Sequence, residues 1–300
     1  MTSPYADAIL GWYSGHARNL PWRHPGVTPW SVMVSEFMLQ QTPVSRVLPA
    51  HAAWLARWPL PAALADASTA DAVRQWDRLG YPRRALRLHA SARLIVSRHG
   101  GQVPASVEEL RALPGVGSYT AAAIASFAFG QRHAVLDTNV RRVLARLLTG
   151  EGLPPKTPTV AEVRLAETLL PRDGRQAARW SVGVMELGAL ICTATRPRCA
   201  DCPLVGQCAW VRLGRPPAAP RHRQAVYHGS DRHCRGELLA VLRAAAGGVP
   251  ADTLAAAWND SAQRARALTA LVNDGLVVRR ADGSIALQGD DPSAARSAGG

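Results

Sequence analysis

A chain of 300 residues is long enough for two domains or one large one and buries a sizeable core without disulfides. At 47% hydrophobic and 19% charged residues it excludes the disordered and fibrous classes, and no apolar run approaches the roughly 20 residues that a bilayer-spanning helix needs. The 35 basic residues against 22 acidic ones give a formal charge of +13, which points to a polyanionic partner, nucleic acid first, because each neutralised phosphate releases a counterion. No secretory signal is legible before Leu20, so the expected location is the cytoplasm, with no membrane association.

Apolar periodicity and helix punctuation predict helices over residues 4–16, 29–39, 44–58, 70–74, 82–99, 106–112, 118–129, 139–148, 160–170 and 177–190. The fold class is mainly α. Residues 151–158 carry Pro154, Pro155 and Pro158 and read as a loop. Composition then shifts to Arg, Pro and Ala, which predicts a basic linker over residues 211–225. Beyond it, helices over 235–246, 251–258 and 261–273 precede strands over 276–280 and 284–287 that flank the turn pair Asp282-Gly283. Three helices and a hairpin are the order of a winged helix, so residues 226–288 are expected to form a small α+β domain, with a disordered tail over 289–300. Such modules bind DNA or protein; Arg264, Arg266, Arg279 and Arg280 would serve the former.

Four of the five cysteines, Cys192, Cys199, Cys202 and Cys208, follow the spacing C-x6-C-x2-C-x5-C. Four crowded thiols in an intracellular chain read as metal ligands rather than disulfides. Zinc in a four-cysteine site usually takes two C-x2-C pairs, and here only Cys199 and Cys202 form one. Long, uneven gaps suit a [4Fe–4S] cluster, whose corners are each held by one thiolate, with zinc as the alternative. Arg196, Arg198 and Arg212 flank this loop, and Cys234 stands outside it.

The run from Leu113 to Ala121, LPGVGSYTA, joins two predicted helices through a turn with two glycines. Gly115 and Gly117 permit close backbone approach, and amides at the next helix N-terminus can donate to a phosphate. A Gly-x-Gly turn also joins many ordinary helix pairs. Asp137 precedes a helix and reads locally as an N-cap. Glu36, in the apolar stretch SEFMLQQT, reads locally as a solvated or ion-paired acid. Spacing alone does not bring the two carboxylates together.

Taken in order, residues 35–42, the turn at 113–120, residues 136–140 and the four-cysteine loop resemble the helix-hairpin-helix, iron–sulfur DNA glycosylases, and most closely the adenine-specific MutY type. Pro21-Trp22-Arg23, Leu79-Gly80-Tyr81 and Met185-Glu186-Leu187-Gly188-Ala189 extend the resemblance. It implies a cluster domain over 1–20 and 131–210 and a helical barrel with the hairpin over 21–130. It also implies a [4Fe–4S] cofactor and, as partner, double-stranded DNA containing a mispair, bound by a monomer in the nucleoid. Glu36 and Asp137 become catalytic residues, one donating a proton to the departing adenine and the other stabilising the oxocarbenium-like sugar. Tyr119 and Asn139 are placed beside Asp137 and Trp22 and Arg23 along the adenine pocket, while Gln40 and Tyr81, with Gln41 as a further substrate-binding residue, are placed around the mispair. Leu113, Gly115, Val116, Gly117, Ser118 and Thr120 form the implied DNA-binding hairpin.

Strand-cutting relatives carry a hairpin lysine, whereas this chain has Tyr119 there and Lys156 as its single lysine, so the implied enzyme is monofunctional. No β-rich Nudix-like domain follows the cysteines. Val182 stands where Gln or Glu is frequent, and a valine offers a base no hydrogen bond. A thymine or uracil mismatch glycosylase, and a non-catalytic iron–sulfur DNA-binding or redox-sensing protein, are the competing expectations.

Overall fold

The structure, a computed structural model, describes residues 4–217 and 226–290. Its helices in chain order are α1 (Ala6–His16), α2 (Pro29–Leu39), α3 (Val44–Arg57), α4 (Pro61–Ala65), α5 (Thr69–Trp76), α6 (Arg83–His99), α7 (Val107–Arg111) and α8 (Ser118–Phe129). They continue with α9 (Thr138–Leu144), α10 (Val160–Leu169), α11 (Gly174–Leu190), α12 (Ala209–Arg212), α13 (Asp231–Ala244), α14 (Ala251–Ala257) and α15 (Ser261–Asn273). No described helix is long and apolar enough to cross a membrane. Side-chain caps start many of them: Ser68, Ser106, Asp137, Asp173, Ser230 and Asp260 each accept from a backbone amide of the first turn. Thr159 and Glu162 form a reciprocal capping box at α10. The helix over Pro61–Ala65 has no counterpart in the sequence reading, because five residues are too few to show a period.

The chain divides into two compact units. Met1–Val32, Ala105–Ala112 and Val116–His222 form the first, and Met33–Pro104, Leu113–Gly115 and Arg223–Gly300 the second. This partition differs from the domain boundaries read from the sequence: α7 and α8 join the cysteine-bearing helices, and the C-terminal module joins α3 to α6.

In the first unit, α1 and α9 pack on α11. Ile9, Val140, Leu144, Trp180, Val184 and Leu187 form its core, and Cys192, Cys202 and Cys208 pack against the same core. At Gly188 of α11 a side chain would meet Asn139 Cβ at 2.7 Å, so only glycine lets α9 approach this closely. After Leu144 the helix widens into a single π turn over Ala145–Thr149.

In the second unit, α4 and α5 pack on α6, and Trp54 sits edge-on to Trp58 and Trp76 at 4.6 and 5.5 Å between ring centroids. The C-terminal module is built as expected: α13 packs on α15, and β1 (Val277–Arg279) pairs antiparallel with β2 (Ile285–Leu287), Val278 opposite Ala286. Arg243 donates to Val73 O at 3.1 Å and Arg74 to Ala245 O at 2.8 Å, which fixes the module on α5. Gly289 and Asp290, expected to begin the disordered tail, are placed: Asp290 pairs with Arg74 at 2.6 Å. Residues 291–300 of that tail and 218–225 of the expected linker lie outside the described residues.

Candidate active site

Asp137 caps α9 and does more. Its Oδ1 accepts from the Val140 amide at 2.6 Å, and its Oδ2 accepts from Asn139 Nδ2 at 2.8 Å. Asn139 is held in turn: its Oδ1 accepts from Arg142 Nη2 at 2.8 Å, and Arg142 also donates to Gly188 O at 2.8 Å and Cys192 O at 2.7 Å. Burial pushes the Asp137 carboxyl above its ordinary value, while the Val140 and Asn139 hydrogen bonds and the Arg142 charge oppose that rise. A carboxylate so held has fixed orientation and an environment of low polarity, where its charge acts strongly on a nearby cation.

Glu186 on α11 is fully buried, and it was quoted in the sequence only as part of a motif. Arg18 donates to it from Nε at 2.7 Å, from Nη2 at 2.8 Å and from its amide at 2.9 Å, and Arg23 donates from Nη1 at 2.9 Å. Burial alone would raise the carboxyl, yet the Arg18 hydrogen bonds and the Arg23 charge hold it at about 2. Glu186 thereby pins the turn Pro21–Arg23, which carries the buried Trp22.

Glu36 lies in the second unit, on α2, and is 6% exposed among the fully buried Val34, Phe37 and Met38. Gln40, Gln41 and Tyr81 gather at the end of the same helix. Arg84, itself buried, organises them: Nη1 donates to Phe37 O, Met38 O and Gln40 O at 2.8, 3.0 and 2.5 Å, and Nη2 to Thr42 Oγ1 and Gly80 O at 2.9 and 3.0 Å. Gln41 and Tyr81 both adopt left-handed backbone, φ 57° and 48°, and both are exposed. Two strained non-glycine residues on one rim mark a place where side-chain direction outweighs backbone comfort. Arg84 carried no signal in the sequence beyond its charge.

The turn between α7 and α8 offers backbone rather than side chains. Leu113, Val116 and Thr120 are buried, while Gly117 and Ser118 are exposed. Gly115, with φ +82°, packs so closely that a Cβ there would lie 2.9 Å from Arg87 Cβ. Gly117 caps α8 without a side chain, and a Cβ there would meet nothing within 4 Å. Tyr119 is half-buried on the first turn of α8.

The four cysteine thiols act on one another: burial pushes Cys202 up to about 11, with Cys192, Cys208 and Cys199 adding to the rise. Arg146 donates to Cys192 Sγ at 3.4 Å and to Thr193 O at 2.8 Å, and its guanidinium stacks 4.4 Å over Trp210. Among the described residues no three His, Cys, Asp or Glu side chains gather tightly enough to hold one ion. Cys192, Cys202 and Cys208 nevertheless pack on one core, and Arg146 meets two of these thiols, donating to Cys192 Sγ and accepting from Cys208 through its carbonyl oxygen; a donor set of soft thiols is the chemistry that zinc or an iron–sulfur cluster takes. Arg196, Arg198 and Arg212 are exposed around it, whereas Arg84, Arg141, Arg142 and Arg146 are buried and serve carboxylate or carbonyl oxygens.

The structure thus brings together Asp137 and Asn139 in one unit, and Gln40, Gln41 and Tyr81 in the other. Trp22, Arg23, Tyr119 and the cysteines belong with Asp137, and Glu36 with the glutamines. Residues 34–168 match the profile of the HhH-GPD superfamily base excision DNA repair proteins. The chain is 52% identical over 287 residues to the adenine DNA glycosylase of Mycobacterium tuberculosis, covering 94% of this chain and 93% of the relative. It is 47% identical over 283 residues to the adenine DNA glycosylase of Mycolicibacterium smegmatis, covering 94% and 95%. Among solved structures, a thermostable thymine-DNA glycosylase superposes on 70% of this chain with a TM-score of 0.63 at 28% identity, over 95% of its own length.

Proposed function

Because the chain belongs to the adenine DNA glycosylases of base excision repair, we propose that it removes adenine paired with 8-oxoguanine or guanine from double-stranded DNA and leaves the strand uncut. Glu36 donates a proton to a ring nitrogen of the extruded adenine, which makes the base a competent leaving group. The C1′–N9 bond breaks with its electron pair on the base. Ionised Asp137, aligned by Asn139 and Arg142, stabilises the oxocarbenium-like sugar or captures it until water adds its oxygen at C1′ and gives up a proton. Tyr119 and Trp22 line the base pocket in this reading. Gln40, Gln41 and Tyr81 enter the stack around the mispair, and Gly117 and Ser118 hold a phosphate. Cys192, Cys199, Cys202 and Cys208 would hold a [4Fe–4S] cluster, which supplies a structural cross-link for the loop that also carries Arg196, Arg198 and Arg212.

The observation that carries this reading is the half-buried, doubly hydrogen-bonded Asp137, whose carboxyl is pushed up by desolvation. Tyr119 supports the uncut strand, since the hairpin there offers no amine to form a Schiff base with the sugar. A panel of duplexes with A, T or U opposite G or 8-oxoguanine, read with and without alkali, tests it. Adenine release with cleavage only after alkali is expected. Release of thymine or uracil in preference to adenine would move the substrate to the neighbouring class, whose thymine-DNA glycosylase shares this fold and which Val182 would not oppose.

A further inference from the structure

The C-terminal module does not stand apart from the rim formed by Gln41 and Tyr81. One concave site of about 330 Å³ is lined by Gln41 and Tyr81 from the loops, by Arg83 and Arg87 from α6 and by Arg235 and Asp274 from the module. Arg84 also lines it, its guanidinium engaged by backbone carbonyls, so three further arginines share the site with one carboxylate. Asp274, which follows α15, pairs with Arg83 at 3.2 Å through Oδ1 and with Arg235 through Oδ2. One carboxylate therefore holds two arginines from distant parts of the sequence side by side, each with further N–H groups in its fork. Arg87 is exposed on the next turn of α6 from Arg83, four residues on.

The chemistry of this site is that of a nucleotide unit. A Tyr81 ring 48% exposed offers a face to a base, Gln41 offers an amide, and an arginine cluster in excess over acid offers charge-assisted hydrogen bonds to a phosphate. Gln41 and Tyr81, both in left-handed backbone, are both exposed at this place. The module is fixed to α5 by Arg243, Arg74 and Thr69, the last donating to Gln288 O at 2.6 Å, so Arg235 is presented from a rigid support.

We infer that the C-terminal module is part of the DNA-reading surface, with Arg235 joining Arg83 and Arg87 to grip a backbone phosphate of the strand that meets Gln41 and Tyr81. This rests on the glycosylase reading above. It gives the module a task within the same duplex contact rather than a separate partner.

The test uses the full-length protein and a duplex with an uncleavable abasic-site analogue opposite 8-oxoguanine. Arg235→Ala is expected to weaken binding about tenfold and to lower the salt slope of log Kd by about 1, while Arg235→Lys retains most of both. Arg266→Glu, on the same module, is expected to alter the slope far less and controls for charge at a distance. Methylphosphonate scanning of the strand opposite the lesion gives a readout independent of fold. One position should weaken the wild type and have no further effect on Arg235→Ala, a coupling that only a direct contact produces. Wild-type Kd and slope in Arg235→Ala, or no phosphate coupled to Arg235, would overturn the inference. Adenine release by the wild type is measured on the matching A-containing duplex. Release without coupling removes the module's role alone, and coupling without release leaves that role standing while the glycosylase reading falls.

Discussion

Asn139 donates to Asp137 Oδ2 at 2.8 Å while its own amide oxygen accepts from Arg142 at 2.8 Å, so the orientation of the carboxylate is set two residues along the same helix. In the proposed reaction the ionised carboxylate is the working form, and burial pushes its titration upward against these hydrogen bonds. Asn139→Ala removes one of them, so the acid limb of the pH–rate profile should move to higher pH. The neutral-pH rate should fall roughly ten- to a hundredfold, the worth of one hydrogen bond to a charged group. An unchanged profile would separate Asn139 from the chemistry.

Glu186 gives a stability prediction with a defined pH window. Its carboxyl titrates at about 2 rather than the ordinary 4.5, so its contribution is complete above pH 4.5 and is lost as pH falls through about 2. That shift corresponds to roughly 3 kcal/mol. Glu186→Gln should lower unfolding free energy at neutral pH by about that amount, because Arg18 and Arg23 lose their counter-charge. The acid-dependent loss between pH 4.5 and 2 should shrink in the variant. Urea titrations across this range read both effects.

The two turn glycines should separate folding from binding. At Gly115 the left-handed backbone and the 2.9 Å approach to Arg87 make Gly115→Ala destabilising by about 1–3 kcal/mol. At Gly117, φ −87° suits any residue and the added methyl meets nothing, so Gly117→Ala should leave stability within about 0.5 kcal/mol. It should nevertheless weaken duplex binding about tenfold by standing where the phosphate approaches. Thermal melts and anisotropy titrations distinguish the pair.

Arg146 should govern the cysteine loop. It touches the Cys192 thiol and holds Gly152 O at 2.9 Å and Thr193 O at 2.8 Å. Arg146→Met retains the stem over Trp210 but loses those donors, and iron and sulfide per protein chain should fall while secondary structure remains. Zinc bound in place of iron by the wild type, one ion per chain, would contradict the proposed cluster.

Much of this was legible in the sequence. Helix periodicity placed α2 and α8 at their observed limits, and the Asp282-Gly283 turn placed the hairpin. Asp137 reads locally as an N-cap, which the structure shows, whereas its catalytic role comes from the resemblance and not from its neighbours in sequence. The net charge misled in part. Arg84, Arg141, Arg142 and Arg146 are spent inside the molecule on carboxylate and carbonyl oxygens, and a charge count cannot tell such arginines from surface ones. Likewise, the link from Arg83 through Asp274 to Arg235 joins positions far apart in sequence and has no local pattern. Arg84 donates to Gln40 O and Gly80 O, each just before a residue in left-handed backbone, a pairing across 40 positions that no local pattern shows.

In the proposed reaction Glu36 and Asp137 together expel adenine, and single-turnover release of the base from a duplex carrying A opposite 8-oxoguanine measures this step. The wild type should release adenine, while Glu36→Gln and Asp137→Asn should bind the duplex and each lose at least about a thousandfold in rate. Wild-type rates in either variant, or no adenine released by the wild type, would contradict the account.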